Sequence, residues 1–216
     1  MKMRKSTILS TELFDFLENK LAPKNFTRFH QSFRRKKTFG WEILHIAVGK
    51  YKNWIDIEAN VEIRYNELER LYNTILSESA NIPTATIGSE LGRLSSGGKK
   101  YWKISDSTEI PIVGNDILTF FWNFGMKFFK DYSNLEKIFD VFVADGQPTD
   151  AYCSIPHIRA QKAVVAAYLL HREDSYFDLV VNKVSYLKGI ENPYIADFLE
   201  FAFELRSKFE RSQKTS

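Results

Sequence analysis

The chain has 216 residues, and its 30 Lys and Arg side chains slightly outnumber its 27 Asp and Glu side chains. So small an excess of positive charge neither requires nor excludes a nucleic-acid partner. The longest apolar run, residues 163–170, is far shorter than the ~20 residues that span a bilayer, which excludes a transmembrane helix. A single cysteine excludes an internal disulfide, and acids interrupt any N-terminal secretory signal, so we expect a cytoplasmic protein.

The first elements in chain order are a helix and two strands. Residues 11–22 carry an apolar stripe with helical spacing, which predicts a helix. Residues 29–33 and 41–48 then change to a period of two, which is typical of strands. The alternation places Phe29 and Phe33 on the same face of the first of these strands.

The clearest strand covers residues 55–63, where aliphatic and polar side chains alternate without interruption. This pattern predicts an antiparallel strand with one buried face and one wet face. We expect the aliphatic row to lie beneath a phenylalanine-rich helix at residues 115–132, with the acids of the other row simply hydrated. The aliphatic row consists of Ile55, Ile57, Ala59, Val61 and Ile63.

A second helix is predicted after this strand, near residues 66–76, followed by a hairpin with strands at residues 84–94 and 99–105. Gly97 and Gly98 would supply the positive φ angles that the hairpin turn requires. Beyond this hairpin the pattern becomes helical. Helices are predicted near residues 115–132, 135–143, 157–171, 175–188 and 193–211.

These elements together predict an α+β fold. An N-terminal antiparallel sheet of about five strands has flanking helices, and the C-terminal half is all helical. We place the boundary between a sheet-containing part, residues 1–113, and a helical part, residues 114–216, that packs on it. The phenylalanine-rich helix is apolar over so wide an arc that it must be buried on more than one side, which favours one structural unit.

Three acids on the wet face of the clearest strand could form a catalytic metal site. Asp56, Glu58 and Glu62 point to the same side, and neighbouring carboxylates can hold Mg²⁺ and activate water. Glu62 and Arg64 distantly resemble the acid-x-base element of metal-dependent nucleases. However, those enzymes use lysine at the last position, because a guanidinium does not give up its proton. The competing interpretation is the ordinary hydrated face of a sheet.

A run of four cations, Arg34, Arg35, Lys36 and Lys37, follows Phe29 closely in the sequence. Cations beside exposed aromatic rings could bind the phosphates and bases of RNA or single-stranded DNA. The competing interpretation is a hairpin whose charges lie in water and whose rings lie in the core.

Two further motifs have plain explanations. Residues 95–100 superficially suggest a phosphate loop, but they lack its spacing and precede a strand, so we interpret them as a turn. Cys153 and His157 are four residues apart and could form an activated thiolate pair, although a lone cysteine is usually a small buried side chain. The histidines form no metal-binding motif, and we expect neither a metal nor a cofactor.

Several segments resemble a bacterial family of unknown function over about residues 10–145. They are Leu-Ala-Pro-Lys-Asn-Phe at 21–26, Phe-Arg-Arg at 33–35, Gly-Gly-Lys-Lys-Tyr-Trp at 97–102 and Gly-Met-Lys-Phe-Phe at 125–129. The family has no assigned activity. Some proteins of similar architecture lie near toxin and defence genes, so the resemblance implies an immunity or accessory role.

The sequence therefore favours a non-catalytic, cytoplasmic protein whose partner is another protein. A binding surface needs only a few aromatic or arginine anchors and leaves little trace in a single sequence. Two alternatives stay open: a metal-dependent nuclease or hydrolase that uses Asp56, Glu58 and Glu62, and a protein that binds RNA or single-stranded DNA through residues 34–37.

Overall fold

The structure is a computed structural model that describes residues 4–76, 84–95, 97–146 and 149–213. It confirms the α+β fold, with an antiparallel sheet in the N-terminal half and helices mostly in the C-terminal half. The strands are β1 (Thr27–Phe29), β2 (Ser32–Lys36), β3 (Gly40–Lys50), β4 (Ile55–Tyr65), β5 (Ile87–Glu90) and β6 (Trp102–Ile104).

The helices cover most of the remaining described chain. They are α1 (Lys5–Leu21), α2 (Asn66–Ile75), α3 (Leu91–Leu94), α4 (Ile110–Phe120), α5 (Met126–Asp131), α6 (Leu135–Val143), α7 (Pro156–Leu169), α8 (Tyr176–Gly189) and α9 (Ile195–Gln213). A π-helical segment, Phe121–Gly125, joins α4 to α5. Within the ranges described above, none of the helices combines the length and the apolar character needed to cross a membrane.

The chain divides into two compact units, each made of two chain segments. Unit 1 consists of Met1–Arg64 and Gly88–Asp131, and unit 2 consists of Tyr65–Ile87 and Tyr132–Ser216. This division differs from the boundary we expected at residue 113. The reason is that α4 and α5 group with the sheet, whereas α2 groups with the C-terminal helices.

The sheet of unit 1 has the order β1-β2-β3-β4-β5, and β6 pairs with β4. The prediction that Phe29 and Phe33 share a face is wrong. A turn with His30 at φ 52° separates β1 from β2, and Phe29 pairs with Ser32 across that turn. Phe29 is consequently 48 % exposed, whereas Phe33 is fully buried.

The prediction for β4 is confirmed, because all five aliphatic side chains of its inner row are fully buried. The phenylalanine-rich helix lies against this row. A Cβ atom added to Gly125 would lie only 2.9 Å from Val61 Cγ1. Phe121 also meets Phe26 edge to face at 5.4 Å and Phe129 at 5.9 Å. Aromatic pairs of this kind contribute about 0.5–1.5 kcal/mol each beyond the area they bury.

The predicted hairpin between residues 84 and 105 is wrong, because β6 pairs with β4 and α3 intervenes after β5. Glu90 holds the following loop by accepting a hydrogen bond from Lys100 N at 2.7 Å. The loop also packs tightly on α3, where a Cβ atom on Gly92 would lie 2.5 Å from Gly98 O. Gly98 does adopt the expected positive φ, 79°.

Candidate functional site

One face of the sheet in unit 1 brings polar residues of three strands together. Ser32 on β2 pairs with His45 on β3, and Ser32 Oγ lies 3.1 Å from His45 Nδ1. On β4, burial raises the pKa of Glu62, while the charges of His45 and Arg34 act in the opposite direction. Glu62 is therefore not simply hydrated, as we expected of the acids on this face. It is a partly desolvated carboxyl group beside two basic side chains.

This row of Ser32, His45 and Glu62 contains the residue types of a nucleophile, a base and an acid. However, the serine contacts Nδ1, the same ring atom that an orienting acid would need, and its side chain is buried. A nucleophile must reach a substrate from solvent. We therefore interpret the row as cross-strand polar pairing that joins β2, β3 and β4.

The other two acids of the proposed metal site have separate neighbours. Asp56 pairs with Lys103 of β6 in the sheet register, and Glu58 accepts a hydrogen bond from Asn60 Nδ2 at 3.3 Å. Among the residues that the structure describes, no group of three His, Cys, Asp or Glu side chains could hold a metal ion. The geometry thus gives the metal-dependent hypothesis no ligand cluster.

The four cations of residues 34–37 do not form one patch, because alternation along β2 separates them. The guanidinium of Arg34 lies over the ring of Phe29 at 4.1 Å. Arg35 Nε donates to Glu42 at 2.7 Å, and Lys37 Nζ lies 3.7 Å from the same carboxylate. One buried carboxylate thus lies beside two of the four cations and offsets one unit of their charge, which leaves a weaker surface for phosphates than the sequence suggested.

Cys153 and His157 belong to unit 2. Burial raises the pKa of the Cys153 thiol, although the charges of Lys162 and Arg159 oppose this. The thiol is therefore neutral at physiological pH, which is the opposite of activation. The ring of His157 packs 4.3 Å from the ring of Tyr194, and burial lowers the pKa of His157.

Unit 2 buries two cations that the sequence analysis did not single out. Arg159 on α7 is fully buried, and its Nη1 donates to Asp150 Oδ1 at 2.5 Å and to Cys153 O at 2.8 Å. Lys183 on α8 is buried as well, and its Nζ donates to Asp145 Oδ1 at 2.7 Å. Burial lowers the pKa of Lys183, and Asp145 acts against this shift. These contacts hold Asp145, Asp150 and Cys153 against α7 and α8.

A third buried cation, Lys162, connects α7 to α2. Lys162 Nζ donates to Glu69 Oε1 on α2 at 2.8 Å and to Ala85 O at 2.8 Å. Glu69 also accepts a hydrogen bond from Thr84 Oγ1 at 2.6 Å. The sequence did hold a signal for these cations. Positions 159, 162, 163 and 166 share one face of α7, so Arg159 and Lys162 lie on the same face as buried alanines.

The outer face of α8 and α9 exposes large apolar side chains to solvent. The side chains of Phe177 and Phe203 are 66 % and 73 % exposed, and Val181 and Leu199 are exposed beside them. The two helices border a mostly apolar groove with a volume of about 460 Å³. We call these side chains and this depression the α8–α9 groove. It is lined by Tyr176, Phe177, Val180, Leu199, Glu200, Ala202, Phe203 and Arg206.

Comparisons of the chain with protein-family models, with curated proteins and with solved structures find no match. The resemblance to a bacterial family of unknown function therefore stays an expectation from the sequence.

Proposed function

We propose that this chain is a non-catalytic protein-binding protein, and that the α8–α9 groove is its docking surface. The observation that carries the proposal is the exposure of Phe177 and Phe203 on neighbouring helices at the edge of one apolar groove. For its setting we propose the cytoplasm, which we expect from the single cysteine and the N-terminal sequence, and an immunity or accessory role, which the sequence resemblance implies.

The energetics of exposed phenylalanine support this proposal. Fully burying one such side chain contributes roughly 1.5–3 kcal/mol, so two largely exposed rings forgo a considerable free energy of burial. Contiguous apolar patches on soluble proteins commonly mark protein or ligand interfaces. Aromatic side chains at the centre of a patch are also the usual anchors of protein interfaces.

The polar groups elsewhere favour binding over catalysis. In unit 1, Arg35 and Lys37 lie beside Glu42, and Ser32 is buried against His45. In unit 2, the thiol of Cys153 has a raised pKa. Each of these groups has an internal contact or an environment that explains its position without a substrate.

A photocrosslinking experiment tests the docking surface. A photoreactive phenylalanine analogue replaces Phe203 in one variant and Glu204 in a control, in the cells that normally produce the protein. Glu204 is the next residue of α9, is also exposed, and points in a different direction. We expect one defined adduct from position 203 and little from position 204, with the captured protein identified by mass spectrometry and then rebound in purified form.

A second substitution makes this test specific. Phe177→Glu in the chain that carries the analogue at position 203 should abolish the adduct, because it puts a charge into the same groove. The proposal is wrong if position 203 gives no adduct, or if positions 203 and 204 capture the same mixture of proteins.

A further inference from the structure

We infer that the α8–α9 groove binds an amphipathic helix of another protein, in which lysine and arginine side chains border the apolar stripe. This inference rests on the proposed function, since it names the kind of partner that the same surface would take. Three features of α8 and α9 carry it: the spacing of the exposed apolar side chains, the position of the acids beside them, and the surplus of acids over cations.

The exposed apolar side chains form one row on each helix. Phe177 and Val181 are four residues apart on α8, and Leu199 and Phe203 are four residues apart on α9. Side chains at this spacing lie one above the other on a helix face. The furrow between two such rows suits a third helix, whose own apolar side chains repeat every three or four residues.

The backbone of α8 and α9 also favours a helical partner. An extended segment needs a sheet edge, where unpaired N–H and C=O groups bond to it. Inside α8 and α9 those groups are already bonded within each helix. A partner helix brings its own backbone hydrogen bonds, so it needs only apolar contacts and complementary charge from the groove.

Acids lie along one flank of α9. Asp197, Glu200 and Glu204 are all exposed, and their spacing of three and four residues puts them on the same flank. At about 100° per residue, this flank lies ~60–120° around α9 from Phe203. Ala202 lines the groove from the opposite flank and is buried. The acids are therefore on the outer side of the apolar row.

The outer side of α8 carries an acid as well. Val180 lines the groove, and Asp178 is exposed. The helical turn places these two residues on opposite sides of Phe177, so Asp178 lies on the side of the apolar row that faces away from the groove. Acids thus border the two apolar rows on both outer sides.

The charge balance of this region is the reverse of that of the whole chain. Residues 173–208 contain seven Asp and Glu but four Lys and Arg, whereas cations outnumber acids in the whole chain. Lys183 is buried against an acid, Lys208 pairs with a neighbouring acid of α9, and Arg206 also has an interaction within the chain. Among the described residues, no cation forms an ion pair with Glu200 at the groove. The surface around the groove therefore complements a basic partner.

Two designed helical peptides test the inference with the purified full chain. They share one stripe of leucine and phenylalanine, which lysine borders in one peptide and glutamate in the other. In fluorescence anisotropy at low salt, we expect the lysine peptide to bind at least ~10-fold more tightly, and this advantage should shrink as added salt screens the charges. Equal affinities, tighter binding of the glutamate peptide, or no binding of either peptide overturns the inference.

Matched variants show whether the lysine peptide lies in the groove. Glu200→Lys should weaken its binding by ~5-fold or more. Asp140→Lys changes the net charge by the same amount at an exposed position of α6 outside the groove lining, and its effect should stay below ~2-fold. Phe203→Ala should weaken binding by ~10-fold or more, because an aromatic anchor is lost. Circular dichroism shows whether each variant is folded. Equal effects of the two charge variants, or no effect of Phe203→Ala, place the peptide elsewhere and overturn the inference.

The segment captured by the photoreactive analogue at position 203 gives a second readout. We expect the crosslinked segment of the identified protein to carry apolar residues at intervals of three and four, flanked by Lys and Arg. A defined adduct with a segment of another pattern, including one from a second copy of this chain, overturns the inference but leaves the docking surface in place. The absence of any defined adduct overturns the docking surface, and the inference with it.

Discussion

In unit 1 the rings of Phe26, Phe121 and Phe129 are buried in one cluster, and an ion pair such as Lys127–Asp131 lies in solvent. In unit 2 several charged side chains are buried and two phenylalanine rings are exposed. Arg159, Lys162, Lys183 and Glu69 are buried, whereas Phe177 and Phe203 are exposed. Unit 1 also buries Glu42 and leaves Phe29 48 % exposed, but its buried charged groups are acids, whereas unit 2 buries three cations and exposes the rings of Phe177 and Phe203 further than that of Phe29.

The buried cations and the exposed rings of unit 2 have different explanations. Buried cations there are paired with acids and carbonyl oxygens, which is the condition under which proteins tolerate buried charge. Exposed rings have no such compensation within the fold. The buried charges thus belong to the architecture of unit 2, whereas the exposed rings are the basis of our proposal that α8 and α9 carry a surface for a partner.

The largest expected effect concerns the buried ion pair of unit 2. Glu69→Ala should reduce the free energy of unfolding by about 3–5 kcal/mol, because it leaves the ammonium of Lys162 buried without its acid. Urea denaturation measures this loss. The control in unit 1 is Asp131→Ala, which removes an exposed partner of Lys127 and should change stability by no more than ~0.5 kcal/mol. Similar losses in both variants would contradict the distinction between the units.

An intermediate effect concerns the packing of unit 1. Gly125→Ala should destabilise the protein by about 1–3 kcal/mol, since the new Cβ would lie 2.8 Å from Phe121 Cδ2 and 2.9 Å from Val61 Cγ1. Gly189→Ala in unit 2 is the control, because a Cβ there has no described atom within 4 Å. Thermal unfolding compares the two. If Gly125→Ala is as harmless as Gly189→Ala, the aromatic helix does not lie tightly on β4.

The smallest effect concerns the pH dependence of the sheet face in unit 1. Burial raises the pKa of Glu62 above its ordinary value of 4.5, so the folded state holds the proton longer than the unfolded state does. The resulting stability is present below pH 4.5 and is lost as the pH rises through the raised pKa. Glu62→Gln cannot ionise and should avoid that loss.

Relative to the natural chain, Glu62→Gln should therefore be more stable at pH 7 than at pH 4, by up to about 1 kcal/mol. Urea denaturation at the two pH values provides the comparison. If the variant instead loses relative stability at pH 7, the ion pairing of Glu62 with Arg34 and His45 outweighs its desolvation, and our interpretation of this carboxyl group fails.

Local pattern predicted the elements well where one face of an element is buried and the other is wet. The period-two alternation of residues 55–63 identified β4, and the helical spacing near the C-terminus located α7, α8 and α9 within a few residues. The pairing of β6 with β4 could not be read in the same way. Strand pairing depends on residues distant in sequence, and the short α3 replaced the end of the strand predicted at residues 84–94.

The candidate sites were harder to predict, for the same reason. The sequence places Arg159 on the same helix face as buried alanines, but it does not identify Asp150 as its partner, and it gives no signal for the pairing of Lys183 with Asp145. The α8–α9 groove was equally hidden, because a phenylalanine in an amphipathic helix is normally assigned to the core. Only the three-dimensional packing shows that Phe198 of α9 faces inward while Phe203 faces outward.

The most direct measurement compares these two rings, because they lie five residues apart on one helix. Urea denaturation measures the free energy of unfolding of Phe198→Ala and of Phe203→Ala in dilute solution. We predict that Phe198→Ala lowers the free energy of unfolding by about 3–5 kcal/mol, and that Phe203→Ala changes it by no more than ~0.5 kcal/mol. Equal losses would mean that Phe203 serves the fold and would contradict a docking surface on α8 and α9.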